Sequence, residues 1–419
     1  MLILYRILTW IALPIALLRL LLRSYREPSY RYHLSERLGL TQHETRRPMI
    51  WLHAVSVGEI NAAADIAYEI DAKFEQHDLL VTCSTPSGRK FGESILPIGT
   101  KVAYLPIDTA FFINRFLTRI KPVCLLVMET EIWPNLFIQC SKASIPIYLL
   151  NARLSERSMR KYLRFKNLTK LVTATVKTTV AQSKDDAARL SRIGIKNPQV
   201  FGNLKFDKAL NETKNNKLQK IDQLIDIQKT VIVASSTRAN EEILIVNEFL
   251  KQCGPETLLV IVPRHARRFD EVAKILKQRK VLFSRRSNTG VVSETCRVFL
   301  GDSMGEMYSY YSSADIVLMG GSFLPNGGQN PIEPLAMGKC VITGPHTFNF
   351  HEVVSKGEEA GVIYQSENIT DAVTRIVQLT NDPALLTQKS TLARQFVKAH
   401  AGALQKTLEY LHSERPSWR

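Results

Sequence analysis

Two successive series of short, almost wholly apolar runs, spaced far enough apart for helices between them, constrain this chain more than any other feature of its 419 residues. The first series is MIWLHAV (49–55), LLVTCST (79–85), KVAYLPI (101–107), VCLLVME (123–129), IPIYLLN (145–151), TVAQS (179–183) and QVFGNL (199–204). The second is VIVASS (231–236), TLLVIVP (257–263), VLFS (281–284), RVFLG (297–301), DIVLMGG (315–321), CVITG (340–344) and GVIYQ (361–365). Strands this apolar need cover on both faces, so each series predicts a parallel sheet wound with helices on both sides. Between the series, DKALNETKNNKLQKIDQ (207–223) has little to bury and reads as a linker, while the residues from about Glu367 onward read as helical. The expected class is α/β. An anchor occupies 1–24, a doubly wound domain 25–208, a linker 209–228, and a second doubly wound domain with C-terminal helices 229–419. Two such domains would form a deep cleft, and ligands in such sheets collect beyond the carboxyl ends of the strands.

Residues 1–22, MLILYRILTWIALPIALLRLLL, are apolar on every face and interrupted only by Arg6 and Arg19. A bilayer span needs about 20 apolar residues, so this segment crosses a membrane only if both arginines snorkel to the interfaces; it can equally lie in the membrane surface. No small-residue cleavage site follows, which argues against a signal peptide. The flank RSYREPSYRYHLSERLG is basic and aromatic, as expected for a cytoplasmic body against anionic lipid. The whole chain carries a net charge of +16, from 55 Lys and Arg against 39 Asp and Glu, and so asks for an anionic partner. Its six cysteines are scattered with no CxxC pair, which argues against a disulfide scaffold or structural zinc and for a reducing compartment.

Three strand ends in the first series carry unusual residues. In HAVSVGE (His53–Glu59), Ser56 and Gly58 allow a tight turn and Glu59 opens the next helix; Ser56-x-x-Glu59 is also a capping box. In METEIWPNL (Met128–Leu136), Glu129 and Glu131 end an apolar strand, where two carboxylates need cations, solvent or a task. In GNLKFD, Lys205 ends the last strand of the series; the plain alternative is a solvated lysine.

The second series has the stronger signals. GGSFLPNGGQNPIEP (Gly320–Pro334) joins a strand to a helix: Gly327 and Gly328 allow close backbone approach, Asn330 can cap, and Pro331 suits the first helical position. Such an N-terminus offers amides to an anion, and Glu333 either receives a ribose hydroxyl or closes a capping box with Asn330. Neither the P-loop nor the Rossmann spacing is present. GDSMGEM (301–307) is a second turn into a helix. VPRHARRF (262–269) sets Arg264, His265, Arg267 and Arg268 after a strand, as a phosphate grip or a solvated basic face. A further basic stretch, Arg153, Arg157, Arg160, Lys161, Arg164, Lys166 and Lys170, has the makings of a helix facing anionic lipid, a phosphorylated acceptor or only solvent.

In this order, HAVSVGE, METEIWPNL, LNARLSERS, GNLKFD, VPRH-x3-F, GD-x-MGE, GGS-x4-GG-x-NP-x-EP and GPHTFNF resemble the Kdo transferase family, the 3-deoxy-D-manno-octulosonic acid transferases of lipopolysaccharide assembly. The match covers nearly the whole chain. The resemblance implies the two-Rossmann GT-B architecture and transfer of Kdo from CMP-Kdo to the lipid A precursor, lipid IVA. The reaction takes place on the cytoplasmic side of the bacterial inner membrane. The resemblance further implies inversion at the anomeric carbon with no metal or other cofactor. By the same carry-over, Glu59 is the general base, and Glu129 and Lys205 support the transition state, with Glu131 a close competitor to Glu129. CMP contacts fall to Pro263 and Arg264, to Met304, Gly305 and Glu306, and to Asn330, Pro331, Ile332 and Glu333.

The sequence departs from the family pattern in two places. Where S-T-H-x-G-E-E is usual, it has Ser236, Thr237, Arg238, Ala239, Asn240, Glu241 and Glu242, and Gln329 stands where His is common before Asn-Pro. Rival readings are a GT-B enzyme using a UDP-sugar and another lipid acceptor, a non-catalytic membrane-attached scaffold, and a nucleic-acid binder. The last rests on charge alone, with no recognised module.

Overall fold

The structure, a computed structural model, describes residues 1–41, 47–215, 229–288 and 295–415. Each of the fourteen apolar runs overlaps a strand. The first seven are β1 (Met49–His53), β2 (Asp78–Cys83), β3 (Lys101–Tyr104), β4 (Pro122–Met128), β5 (Ile147–Ala152), β6 (Val176–Ala181) and β7 (Gln199–Val200). The rest are β8 (Thr230–Thr237), β9 (Thr257–Pro263), β10 (Phe283–Arg285), β11 (Val298–Leu300), β12 (Ile316–Met319), β13 (Cys340–Thr343) and β14 (Ile363–Gln365).

They form two seven-stranded sheets, ordered β3-β2-β1-β4-β5-β6-β7 and β10-β11-β9-β8-β12-β13-β14. The first strand of each series is central, and the order reverses beside it: β4 pairs with β1 in one sheet and β12 with β8 in the other, both parallel. Crevices at such reversals are where open α/β sheets hold ligands.

β1 shows why these runs become central strands. Met49 and Trp51 enter one apolar core, and Ile50 and Leu52 enter the core on the opposite face. Trp51 packs against Phe116 at 4.8 Å between ring centroids, and its indole N–H donates to Thr82 Oγ1 at 2.8 Å. Burying each such side chain contributes about 1.5–3 kcal/mol, enough to fix which residues face which core.

The chain divides into two compact units, Met1–Asp207 with Ala401–Arg419, and Lys208–His400. The sequence assigns everything from 229 to 419 to the second domain, but the last helix, Ala403–Glu414, belongs to the first. Its Ala403 and Leu411 are buried in the first unit's core, and Asp207 accepts from the Gly402 and Ala403 amides at 2.8 and 3.1 Å. At its far end, Glu414 pairs with Lys177 at 2.6 Å. An amphipathic pattern demands burial without saying against which sheet. The stretch read as a linker begins as helix, within Leu204–Asn215, and its residues 216–228 lie outside the described residues.

Among the described residues one helix, Leu2–Tyr25, is long and apolar enough to cross a membrane, and its apolar window is unburied. Its first turns are nonetheless fastened to the first unit. Tyr5 donates to Asp108 Oδ2 at 2.8 Å, Arg6 Nε to Asn135 Oδ1 at 3.3 Å, and Trp10 lies 6.0 Å from the Phe112 ring. The basic stretch is two helices, Glu156–Arg164 and Lys166–Thr173, meeting at an exposed Phe165.

Candidate active site

In the first unit, the loops after β1 and β4 bring three carboxylates together. Glu59 sits in the first turn of helix Val57–Lys73. Its Oε2 accepts from the Val55 amide at 2.8 Å and its Oε1 from Ser56 Oγ at 3.0 Å. Part of the capping reading therefore holds: the carboxylate closes its own loop, although the Ser56 side chain makes no cap bond to the helix. Glu59 is not sealed in, since its side chain stays partly exposed. Burial, with smaller pushes from the Glu129 and Glu131 charges, raises its pKa to about 7, against the pull of the Val55 amide and the Ser56 hydroxyl. A carboxylate half-ionised near neutral pH is suited to accepting a proton.

Glu129 follows β4 in the left-handed region, with φ of 55°, a conformation uncommon for a residue bearing a Cβ. Its amide still joins the sheet, donating to Leu150 O at 2.9 Å, so the turn comes at the side chain's own residue. Thr130 ties the loop to the end of β5, donating to Arg153 O at 2.6 Å. Burial, and then the Glu129 charge, raise the pKa of Glu131.

Lys205 reaches Glu129 Oε1 at 3.4 Å. It does not end a strand as its sequence suggests: β7 stops at Val200, and Lys205 lies in the first turn of helix Leu204–Asn215. Asn151 Oδ1 accepts from the Leu204 amide at 3.1 Å, and Asn203 Oδ1 from the Lys205 amide at 3.0 Å, which fixes where the lysine starts. The sequence pattern gives Asn151 no role of its own, nor Asp108, whose carboxylate accepts from the Asn135 and Leu136 amides at 3.1 and 2.8 Å and so caps helix Pro134–Lys142, which begins inside METEIWPNL. The only signal for Asp108 was a short polar pair, Asp108-Thr109, opening a helix.

In the second unit the marked residues gather at the ends of β8, β9, β11 and β12. Pro263 ends β9, and the Arg264 amide donates to Thr237 O at 3.0 Å. Gly305 turns with φ of 84°, and Glu306 behind it receives Arg286 on both oxygens, at 3.0 and 2.8 Å. Met304 is exposed beside them. The Tyr311 phenol, fully buried and so held above its ordinary pKa, feels both the Glu333 carboxylate and the Arg264 guanidinium. That places the β9 loop and the Asn330–Glu333 segment in one neighbourhood.

Asn330 is not the N-cap, which is Pro331; one residue earlier, its Oδ1 accepts from the Ile332 amide at 3.1 Å and its Nδ2 donates to Glu333 Oε1 at 2.9 Å. Pro331 precedes the helix instead of opening it, and that helix, Ile332–Ala336, is five residues long with Ile332 buried. So short a helix carries a weak dipole, which shifts the burden of holding an anion onto side chains. Gly327 and Gly328 both turn in the left-handed region, with φ of 85° and 74°, and a Cβ on Gly327 would also fall 2.4 Å from the Phe348 ring of the GPHTFNF loop.

Two parallel sheets of seven strands, with the marked residues at their strand ends, have the fold of the GT-B glycosyltransferases. The solved UDP-GlcNAc 2-epimerase of Neisseria meningitidis has the same fold, with a TM-score of 0.61 at 16% identity over 87% of this chain and 100% of that one. Residues 237–396 match the model of glycosyl transferases group 1. Residues 32–208 match that of 3-deoxy-D-manno-octulosonic-acid transferase (kdotransferase). The 3-deoxy-D-manno-octulosonic acid transferase of Haemophilus influenzae is 34% identical over 97% of both chains, and that of Bordetella pertussis 36% identical over 86% of both. The chain belongs to the Kdo transferase family of lipopolysaccharide biosynthesis.

Proposed function

We propose that this enzyme transfers Kdo from CMP-Kdo to lipid IVA with inversion and without a metal, Glu59 acting as general base. The observation that carries this is the partly exposed Glu59 carboxylate, held by the Val55 amide and the Ser56 hydroxyl at the strand-order reversal of the first sheet, beside Glu129 and its Lys205 partner, where burial raises its pKa to about 7. The acceptor hydroxyl gives its proton to Glu59 as its oxygen bonds to the donor's anomeric carbon. The bond from that carbon to the phosphate oxygen breaks, and CMP leaves with the electron pair. Glu129 and Lys205 bias the field around the positive charge gathering on the sugar. In the second unit, Pro263, Arg264, Met304, Gly305, Glu306 and Asn330–Glu333 form the CMP pocket, and Arg264 supplies positive charge to the single phosphate.

The acceptor is a lipid, and the first unit is built to meet one on the cytoplasmic face of the inner membrane. Tyr5 and Arg6 hold the start of the N-terminal helix against that unit, and Glu36, soon after the helix ends, pairs with Arg89 of the same unit. With both ends on one body and Ile3, Leu4, Ile7 and Leu8 exposed, the helix lies in the membrane surface. Exposed Arg157, Lys161, Arg164, Lys166 and Lys170, with Phe165 between them, add a second lipid contact.

The test is mass spectrometry of a tetraacylated lipid A precursor incubated with CMP-Kdo and the enzyme. Added Kdo, and how many copies, is the expected result; no product with CMP-Kdo but product with a UDP-sugar would overturn the donor assignment.

A further inference from the structure

Arg238, after β8, and Arg264, His265 and Arg267, after β9, bring three fixed positive charges to the carboxyl ends of two central strands of the second sheet. Arg238 Nη1 lies 2.8 Å from His265 Nε2. Burial and the neighbouring Arg238, Arg264 and Arg267 hold the His265 pKa below its ordinary value, so near neutral pH its ring accepts from the guanidinium and adds no charge. The nearby acids do not neutralise the arginines. Glu241, wholly buried, receives the backbone amides of Arg238 at 2.9 Å, Gly321 at 2.7 Å and Phe323 at 3.2 Å. Glu242 pairs with Arg268 at 3.0 Å. Among the described residues, Arg238, Arg264 and Arg267 make no ion pair, and Arg238 Nε is buried without a partner.

The backbone aims this charge at the glycine loop. Ser236, with φ of 54°, kinks the end of β8 just before Arg238. A Cβ on Gly320 would meet the Thr237 and Ser235 backbone at 2.6–2.7 Å, so the loop after β12 passes as close to β8 as glycine permits. At Gly321 a Cβ would meet Gln329 Nε2 at 3.0 Å and Arg238 Cγ at 3.5 Å. Two of the three positions at which the sequence departs from its family's pattern, Arg238 and Gln329, thus flank the same bare Cα, one as a permanent cation and one as an amide donor.

We propose that Arg238, with Gln329 beside it, holds an acidic group of the sugar-nucleotide donor against Gly321. The assignment rests on the second unit taking CMP-Kdo, a donor with two acidic groups, the phosphate and the Kdo carboxylate. Arg238 provides the charge that a five-residue helix cannot, and the carboxylate of Glu241 keeps it at a fixed distance from the loop by bonding both backbones.

Titration calorimetry with CMP and with cytidine, together with the KM for CMP-Kdo, tests this on the full chain and on Arg238→Gln and Arg238→Lys. If Arg238 takes the phosphate, Arg238→Gln weakens CMP about 10- to 100-fold and leaves cytidine unchanged. If it takes the carboxylate, CMP affinity holds while the KM for CMP-Kdo rises by about the same factor. In either case Arg238→Lys recovers part of the loss. Unchanged CMP affinity and unchanged KM in Arg238→Gln, with its thermal transition intact, would overturn the proposal. A wild-type protein that binds UDP and ignores CMP would instead sink the donor reading beneath it.

Discussion

Lys205 Nζ stands 3.4 Å from Glu129 Oε1, so the helix leaving the first sheet is pinned, charge to charge, to the residue that follows β4. The Glu129 charge in turn reaches Glu59 across the β1–β4 pairing. Three loops far apart in sequence thereby share one electrostatic site, and its behaviour with pH and mutation follows.

Glu59→Gln is expected to lower transfer by at least about 100-fold, the usual contribution of a general base, while CMP binding persists. The amide oxygen can still accept from the Val55 amide, so the loop keeps its shape. Its effect on stability has a definite sign. Because burial raises the Glu59 pKa from 4.5 to about 7, the native state binds more protons than the unfolded chain between those values. Stability falls as pH rises through that window, and the glutamine removes the fall. Thermal melts at pH 5 and pH 8 check this: a wild-type deficit at pH 8 that persists in the variant would refute the linkage.

The acid limb of the wild-type pH–rate profile is expected near 7, set by ionisation of Glu59. Glu129→Gln removes a negative charge that helps raise that pKa, so the limb moves to lower pH. Glu131→Gln moves it the same way by less, since its charge is the smaller of the two influences. Equal profiles in all three proteins would detach these carboxylates from Glu59.

Transfer is expected to survive prolonged EDTA treatment at full rate, with side chains meeting the charge of the departing CMP. Loss on chelation and recovery with added magnesium would assign that work to an ion.

Glu241→Ala leaves the amides of Arg238, Gly321 and Phe323 without their acceptor, at a cost of about 3 kcal/mol. Chemical denaturation measures it. A loss well under that, with CMP affinity intact, would mean the two loops hold their places without this carboxylate.

Ile3→Cys and Tyr25→Cys, made singly, are both expected to react with a membrane-impermeant maleimide from the cytoplasmic side of inverted vesicles. The six native cysteines are buried and need not be removed. Protection of position 3 from that side, with labelling from the other, would mean that the helix spans.

Much of the fold was legible because a central parallel strand must be apolar on both faces, and runs such as VCLLVME and TLLVIVP can be little else. The candidate site was legible as strings at strand ends. Two placements escaped for one reason, that local pattern carries no address. The apolar stripe of Ala403–Glu414 had to bury itself, but nothing in it names the first unit's core. Lys205 read as the end of a strand because the apolar residues before it match a strand, while the Asn151 side chain, 53 positions upstream of Leu204, starts a helix there.

By itself, the sequence determined that there would be two wound sheets, an apolar leading helix, and chemistry-bearing residues at the ends of β1, β4, β9 and β12. Those follow from side-chain hydrophobicity and its spacing, which act locally. Only the tertiary structure decided the strand order that sets β4 beside β1, and with it the burial, and then the Glu129 and Glu131 charges, that lift the Glu59 pKa. It also decided which acids are taken up by backbone, as Glu241 is, and which cations are left without one, as Arg238 is. Burial and Coulomb interactions depend on distance in space, and sequence separation does not encode that distance.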